Sequence, residues 1–373
     1  MHPDPDRTLR LPSVLDDVYS AVPDEPADRL GIHVLLEALL LAALAGGLLG
    51  LFQVPGNPLA SASGRGQVMA LAVPALLATM ALALSLRACA PNLAVGVIGL
   101  GAAKLFADNA SRGLPLALTI AAGAALGAGL VIAAAVVLLR APGWLASAAV
   151  AAGVFVWLSG RPGSETPPVP HISHSWVWLV GCAALSVLGG MWGATNGTRR
   201  RLGECRLANA TIARRSGGAV ATQIAALAAS SLVAAAAGLW MSWVPSDTRA
   251  AEVVDGPWSL TAFAVAAALL GGTSALGRRG GFLGSVLASF ALLTALLITA
   301  QRHPFNPLWT IGGALGLGLV ITRIVERFGA PKPTWWEDRT DTSEMDRVES
   351  QAFPTTQVNS YDPGDIDPYR GVN

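Results

Sequence analysis

The chain has 373 residues, of which 53% are hydrophobic and only 13% are charged, and its mean hydropathy is +0.51. So few charges cannot cover a soluble protein of this length, and the composition therefore predicts an all-α protein that crosses a membrane many times. The formal net charge of +1 says nothing about nucleic acid, and no nucleic-acid partner is expected for a membrane protein. The informative quantity is where the charges fall along the chain.

Ten apolar segments follow a polar, proline-rich start, and each predicts one membrane helix. The segments cover residues 32–54, 68–86, 92–107, 114–139, 144–159, 176–195, 219–244, 258–276, 282–300 and 308–325. A helix needs about 20 apolar residues to cross a bilayer, so the third and fifth segments are short. They are interpreted as broken or half-buried helices, which membranes accept where protein shields the backbone.

These segments divide the chain into three predicted parts. Residues 1–31 are predicted to form a polar cytoplasmic tail and residues 32–327 the transmembrane permease domain. Residues 328–373 are expected to form a disordered acidic cytoplasmic tail, because they contain too few apolar residues to build a core. Twelve arginines fall on the N-terminal side of the membrane and five on the other. Because lysine and arginine accumulate in cytoplasmic loops, both termini are predicted to lie in the cytoplasm of a multi-pass protein of the cell membrane.

The stretch "LLGGTSALGRRGGFLGS" has the glycine spacing of a phosphate-binding loop, Gly272-x4-Gly277. Such a loop needs a lysine and then a serine or threonine after the second glycine, and Arg278 and Arg279 stand there instead. We interpret the residues Gly277, Arg278, Arg279 and Gly280 as a short cytoplasmic turn between the eighth and ninth helices. The chain itself is therefore not expected to bind ATP.

No histidine or cysteine pattern predicts an enzyme or a metal centre. The five histidines are not paired with a nucleophile, and His171 and His174 supply two ligands where zinc needs three or four. The cysteines Cys89, Cys182 and Cys205 have scattered spacings and are interpreted as reduced packing residues. We expect no catalytic residue, no metal and no cofactor in this chain.

Polar side chains inside membrane segments cost free energy and are candidates for function. Asn92, Lys104 and Asn109, together with Thr273 and Ser274, form a predicted translocation path. For Lys104 the favoured alternative is an ion pair with Asp108 four residues on, near the membrane surface.

Two glycine pairs, Gly123-x3-Gly127 and Gly312-x3-Gly316, have the spacing that allows two helix backbones to approach closely. The favoured interpretation is ordinary packing between helices of this chain. A face for a second subunit is the alternative.

Several stretches, in order, resemble the permease subunits of ABC importers of the ribose and branched-chain amino acid class. The resemblance is carried by "FQVPGNPLAS", "PNLAVG", "LLRAPGWLASAAVAAGVFVWLSGRP", "QIAALAASSLVAAAAGLW" and most clearly by the GGTS stretch. In that stretch the matching residues are Gly271, Gly272, Thr273, Ser274, Gly277, Arg278, Gly280, Gly281 and Gly284. Asn92 departs from the pattern, because an aspartate is usual there.

The resemblance implies that a separate ABC ATPase subunit binds the ATP and drives alternating access. It also implies an extracytoplasmic solute-binding protein, a second permease subunit and a small polar solute, with sugar favoured. The implied ATPase-coupling loop contains Arg200, Arg201, Leu202, Gly203, Glu204, Leu207, Asn209, Arg214 and Arg215. Its "ANATIARR" core departs from the acidic, glycine-rich loop of the family.

Two further functions stay open from the residues alone. An ion-coupled secondary transporter usually carries ionisable or unwound elements at mid-membrane in matching halves, and no repeat between the halves is visible in the sequence. A non-transporting membrane scaffold would act through its polar tails, and its basic loop would be dispensable.

Overall fold

The computed structural model describes residues 30–160, 175–195, 197–198, 201–205, 216–241, 256–274, 282–301 and 306–328. The chain forms two units, Met1–Ala330 and Pro331–Asn373, and every described residue belongs to the first. These ranges contain ten helices of 14 residues or more, which are α1 Leu30–Phe52, α2 Ala62–Arg87, α3 Val95–Asn109, α4 Leu114–Leu138, α5 Gly143–Ser159, α6 Ser175–Ala194, α7 Gly217–Met241, α8 Pro257–Leu270, α9 Phe282–Gln301 and α10 Pro307–Phe328.

The predicted fold class is confirmed, because every predicted apolar segment overlaps one of these helices and the described ranges contain no strand. Six helices are long and apolar enough to cross a membrane: α1, α2, α4, α7, α9 and α10. All of them except α2 carry exposed leucine, valine or tryptophan side chains on their outward surfaces, as expected where lipid replaces water. The protein is an all-α polytopic membrane protein.

Three helices are distinctly short. α3 has 15 residues and α5 has 17, as their segments predicted, and α8 has 14. The predicted segment 258–276 was too long, because the helix ends at Leu270 and residues 271–274 are not helical. At 1.5 Å per residue α3 and α8 are about 21 to 23 Å long, which is less than the roughly 30 Å of a bilayer core.

α7 is the central helix and packs against α2, α3 and α4, whereas α8 packs mainly against α10, α2 and α9. Small residues make the contact between α3 and α7 close. A Cβ built at Gly99 would lie 2.8 Å from the carbonyl oxygen of Ala234 and 3.3 Å from the Cα of Gly238. Both backbones therefore touch, as small residues allow in membrane helices.

The packing predicted for Gly123, Gly127, Gly312 and Gly316 is wrong. A Cβ at any of the four would meet nothing within 4 Å, so these glycines face away from the other described helices. The side of α4 that is buried instead carries Ala117, Ala121, Ala125 and Gly129. These four buried residues are also spaced by four along the helix, but three of them are alanine and only one is glycine.

Candidate functional site

The connection between α2 and α3, residues 88–94, is irregular backbone that is nonetheless largely buried. Helix α2 stops at Arg87, Cys89 follows with a positive φ of 56°, and Pro91 has no amide hydrogen to continue a helical ladder. The connection is tightly covered, because a Cβ at Gly143 would lie 2.7 Å from the Cα of Ala90. Buried irregular backbone must find polar partners elsewhere.

Side chains from four helices supply those partners. Ser85 Oγ accepts a hydrogen bond from the Asn92 amide at 3.0 Å, and Ser147 Oγ accepts one from the Leu93 amide at 3.0 Å. Gln223 Nε2 donates to the carbonyl oxygen of Ala88 at 3.5 Å. Thr261 Oγ1 accepts from the amide of Gly96 in the first turn of α3 at 3.0 Å, which ties the start of α3 to α8.

Asn92 is at the centre of this arrangement, which we call the polar junction (Ser85, Asn92, Ser147, Gln223, Ser230, Ser231 and Thr261). Its side chain is 0% exposed. Its Oδ1 accepts from the Ala94 amide at 3.1 Å, and its Nδ2 donates toward Ser230 Oγ at 3.1 Å and Ser231 Oγ at 3.3 Å. Each polar atom of the Asn92 side chain thus has a partner, as a buried amide requires.

The two serines show how deep the polar junction lies. Ser230 and Ser231 are the fourteenth and fifteenth of the 25 residues of α7. The connection therefore returns from the end of α2 to the middle of α7, and α3 begins there. From this point α3 runs beside the second half of α7, since Gly99 lies against Ala234 and Gly238. The polar junction therefore surrounds the break between α2 and α3 and lies beside the middle of the continuous helix α7.

A second buried break follows α8. The amide of Gly272 donates to the Leu269 carbonyl and the amide of Thr273 to the Ala268 carbonyl, with Gly272 at a φ of 78°. This is a Schellman ending, which favours glycine at the left-handed position. Thr273 Oγ1 then lies 3.0 Å from Ser285 Oγ of α9, and Ser274 Oγ donates to the carboxylate of Glu326 on α10.

The predicted path residues occupy three separate places. Lys104 Nζ lies 3.1 Å from Asp108 Oδ1 with side chains 15% and 27% exposed, so the ion pair is confirmed. Asn109 Nδ2 donates back to the Leu105 carbonyl at 2.8 Å, at the far end of α3 from Asn92. Thr273 and Ser274 follow the C-terminal end of α8, about 15 Å along its axis from Thr261. The structure brings none of these three groups together.

The described part of the predicted coupling loop is attached to the start of α7. Ser216 Oγ donates to Glu204 Oε2 at 2.9 Å and also accepts from the Ala219 amide at 3.1 Å, which caps α7. Cys205 Sγ lies 3.6 Å from the Ala219 carbonyl oxygen. Leu202 is buried, Gly203 is half-buried and Arg201 is exposed. A carboxylate at a helix N-terminus is favoured by the helix dipole.

Several predicted residues lie outside the described ranges. They are Arg200, Leu207, Asn209, Arg214 and Arg215 of the loop, and Gly277, Arg278, Arg279 and Gly280 of the turn.

The sequence interpretation missed most of the polar junction. Serine and threonine are common in membrane helices, where they bond to their own backbone, so Ser230 and Ser231 gave no distinct signal. Gln223 is different, because a glutamine inside the window 219–244 is a recognisable polar exception. Glu326 was missed because it lies one residue beyond the last predicted segment.

Comparisons of the chain with known protein families, with curated proteins and with solved structures find no match.

Proposed function

We propose that the chain is the membrane-spanning permease subunit of an importer that a separate ATPase drives. In this proposal it lies in the cell membrane with both termini in the cytoplasm. It pairs with a second permease subunit and receives a small polar solute, a sugar in our proposal, from an extracytoplasmic binding protein. The chain itself hydrolyses nothing.

The observation that carries the proposal is the fully buried Asn92, which lies in the break between α2 and α3 and bonds to the middle of α7. Polar groups at membrane depth are costly, and non-helical backbone is tolerated there only where protein or a cavity covers it. Discontinuous helices of this kind are typical of transporter folds, where they form solute or ion sites near the bilayer midplane. A purely structural bundle has no need of such a break.

The attachment of residues 201–205 to α7 supports coupling to a cytoplasmic partner. The Glu204 carboxylate holds the capping residue of α7, and the same helix carries Ser230 and Ser231. A displacement of the loop would therefore move the start of α7 and, through a rigid helix, the partners of Asn92. In the proposed cycle the ATPase dimer closes on this loop, and the two permease subunits alternate between outward and inward access.

The test begins with the full-length chain, affinity-purified from native membranes in a mild detergent. Mass spectrometry should identify a co-purified ABC ATPase, and proteoliposomes of the complex should accumulate solute only with ATP. The double variant Arg214→Glu with Arg215→Glu should abolish ATP-driven uptake while leaving membrane insertion unchanged. The matched control is Arg112→Glu, an exposed arginine after α3. Purification without any ATPase, or full uptake by the double variant, would contradict the proposal.

One observation favours an ion-coupled secondary transporter as the second candidate. When the ten helices are divided into two successive groups of five, α3 and α8 are each the third helix of their group, and both are short. The two helices are in contact, because the Gly96 amide donates a hydrogen bond to Thr261. Short or interrupted helices at corresponding positions of two halves mark the binding site in many such transporters. The same proteoliposomes separate the two functions, because this candidate predicts uptake from an ion gradient without ATP.

A further inference from the structure

The C-terminal end of α8 faces one side of α10. Gly318, Thr322 and Glu326 are spaced by four residues and therefore share that side. At one end, a Cβ on Gly318 would lie 2.7 Å from Leu269 Cβ. At the other, the Glu326 carboxylate accepts the hydrogen bond of Ser274. Thr322 lies between them along α10, and the spacing therefore places it on the side of α10 that faces the end of α8.

Thr322 Oγ1 is a buried oxygen without a hydrogen-bond partner among the described residues, and the residue is 4% exposed. Two other buried threonines in these helices bond to the carbonyl four residues before: Thr79 to Ala75 at 2.8 Å and Thr294 to Phe290 at 2.8 Å. Buried polar atoms normally have partners. An oxygen left open beside a helix break and a carboxylate suggests a ligand at this position.

The electrostatics at this position favour a cation. The Glu326 side chain is 15% exposed, and Arg323, which is 3.9 Å from its other oxygen, is 85% exposed and lies on the solvent side of the pair. The last carbonyl groups of α8 present the negative end of the helix dipole to the same break. One carboxylate, two hydroxyls and helix-terminal carbonyls are oxygen ligands of the kind that bind sodium in broken-helix transporters.

We propose that a monovalent cation of the size of sodium binds between the end of α8 and α10. Its protein ligands are the Glu326 carboxylate, Ser274 Oγ and Thr322 Oγ1, and backbone carbonyls at the end of α8 complete the shell. With a single carboxylate, the site matches one positive charge better than two. The site is independent of the ATPase and of the solute, and so goes beyond the proposed function.

Purified full-length protein tests the site without any transport assay. The thermal unfolding midpoint is measured in sodium, lithium, potassium and N-methyl-D-glucamine chlorides at constant ionic strength. Sodium should raise the midpoint in a saturable manner relative to N-methyl-D-glucamine, because a ligand that binds the folded state stabilises it. Equilibrium binding of radioactive sodium should approach one ion per chain.

The variants Thr322→Val and Glu326→Gln should each weaken sodium binding at least tenfold. The matched control is Thr294→Val on α9, which removes a buried hydroxyl that already has a partner and should leave binding unchanged. Equal midpoints in all four salts with no bound sodium would overturn the site, as would undiminished binding by both variants. Should a variant fail to fold, the binding experiment on the unmodified chain decides alone.

Discussion

Gly129→Ala tests the contact that holds α4 against the polar junction. A Cβ at this position would lie 2.7 Å from Ser231 Oγ and 2.9 Å from the Leu227 carbonyl oxygen. Ordinary van der Waals contact begins at 3.4 Å, so α4 and α7 must separate by roughly 0.5 to 0.7 Å, which forfeits about a quarter or more of the dispersion energy of the contact. Overpacking of this kind costs about 1 to 3 kcal/mol.

Gly127→Ala is the matched control, because it lies on the same helix and its Cβ would meet nothing within 4 Å. Replacing a helical glycine by alanine gains about 0.8 to 1 kcal/mol of helix propensity in both variants. We therefore expect Gly129→Ala to be less stable than Gly127→Ala by about 2 kcal/mol, the middle of the overpacking range. The assay is the unfolding of purified protein in mixed detergent micelles. Equal stability of the two variants would refute the packing of α4 on α7 described above.

Three other predictions use the same unfolding assay. Asn92→Leu should lower the free energy of unfolding by about 3 kcal/mol, because it leaves buried hydroxyls and amides of the polar junction without partners. A decrease of less than about 0.5 kcal/mol would show that the hydrogen bonds of Asn92 are unimportant for stability. Glu204→Ala should cost about 1 kcal/mol, through the loss of the bond to Ser216 and of a favourable charge at the start of α7; full stability of this variant would argue against the attachment. Lys104→Met should cost about 1 kcal/mol or less, as expected for a partly exposed ion pair. A variant that no longer folds would contradict this small contribution of the Lys104–Asp108 pair to stability.

The apolar segments predicted the helices well because a bilayer forces long apolar runs into helices whatever their tertiary contacts. The end of α8 was missed for a physical reason. "GGTSALG" contains no charge, so hydropathy continues through it, whereas the chain leaves the helix at Gly272 through a left-handed backbone conformation. A glycine pair followed by hydroxyl residues was the available signal.

The glycine pairs show what spacing alone cannot predict. Gly123 and Gly127 have the expected interval, but an interval does not say which side of a helix meets a neighbour. The close contact of α4 is made at Gly129, in line with Ala117, Ala121 and Ala125. Alanines at four-residue spacing were the better indicator of the buried side.

The polar junction was only partly predictable. Asn92 was selected as a polar residue at membrane depth, and the structure gives it buried partners. Those partners are 138 and 139 residues away along the chain, and a single sequence contains no information that pairs them. For the same reason the link between Gly96 and Thr261 required the fold.

The position of Asn92 beside the middle of α7 is the central claim, and disulfide formation tests it most directly. Asn92→Cys and Ser231→Cys are combined after Cys89, Cys182 and Cys205 have been replaced by serine, and a protease site is inserted in residues 161–174. After oxidation in native membranes and cleavage, the two fragments should remain joined until a reductant is added. A pair at positions 109 and 231 is the control. The claim would be contradicted if the fragments separate when the cysteines are at positions 92 and 231 but stay joined when they are at positions 109 and 231.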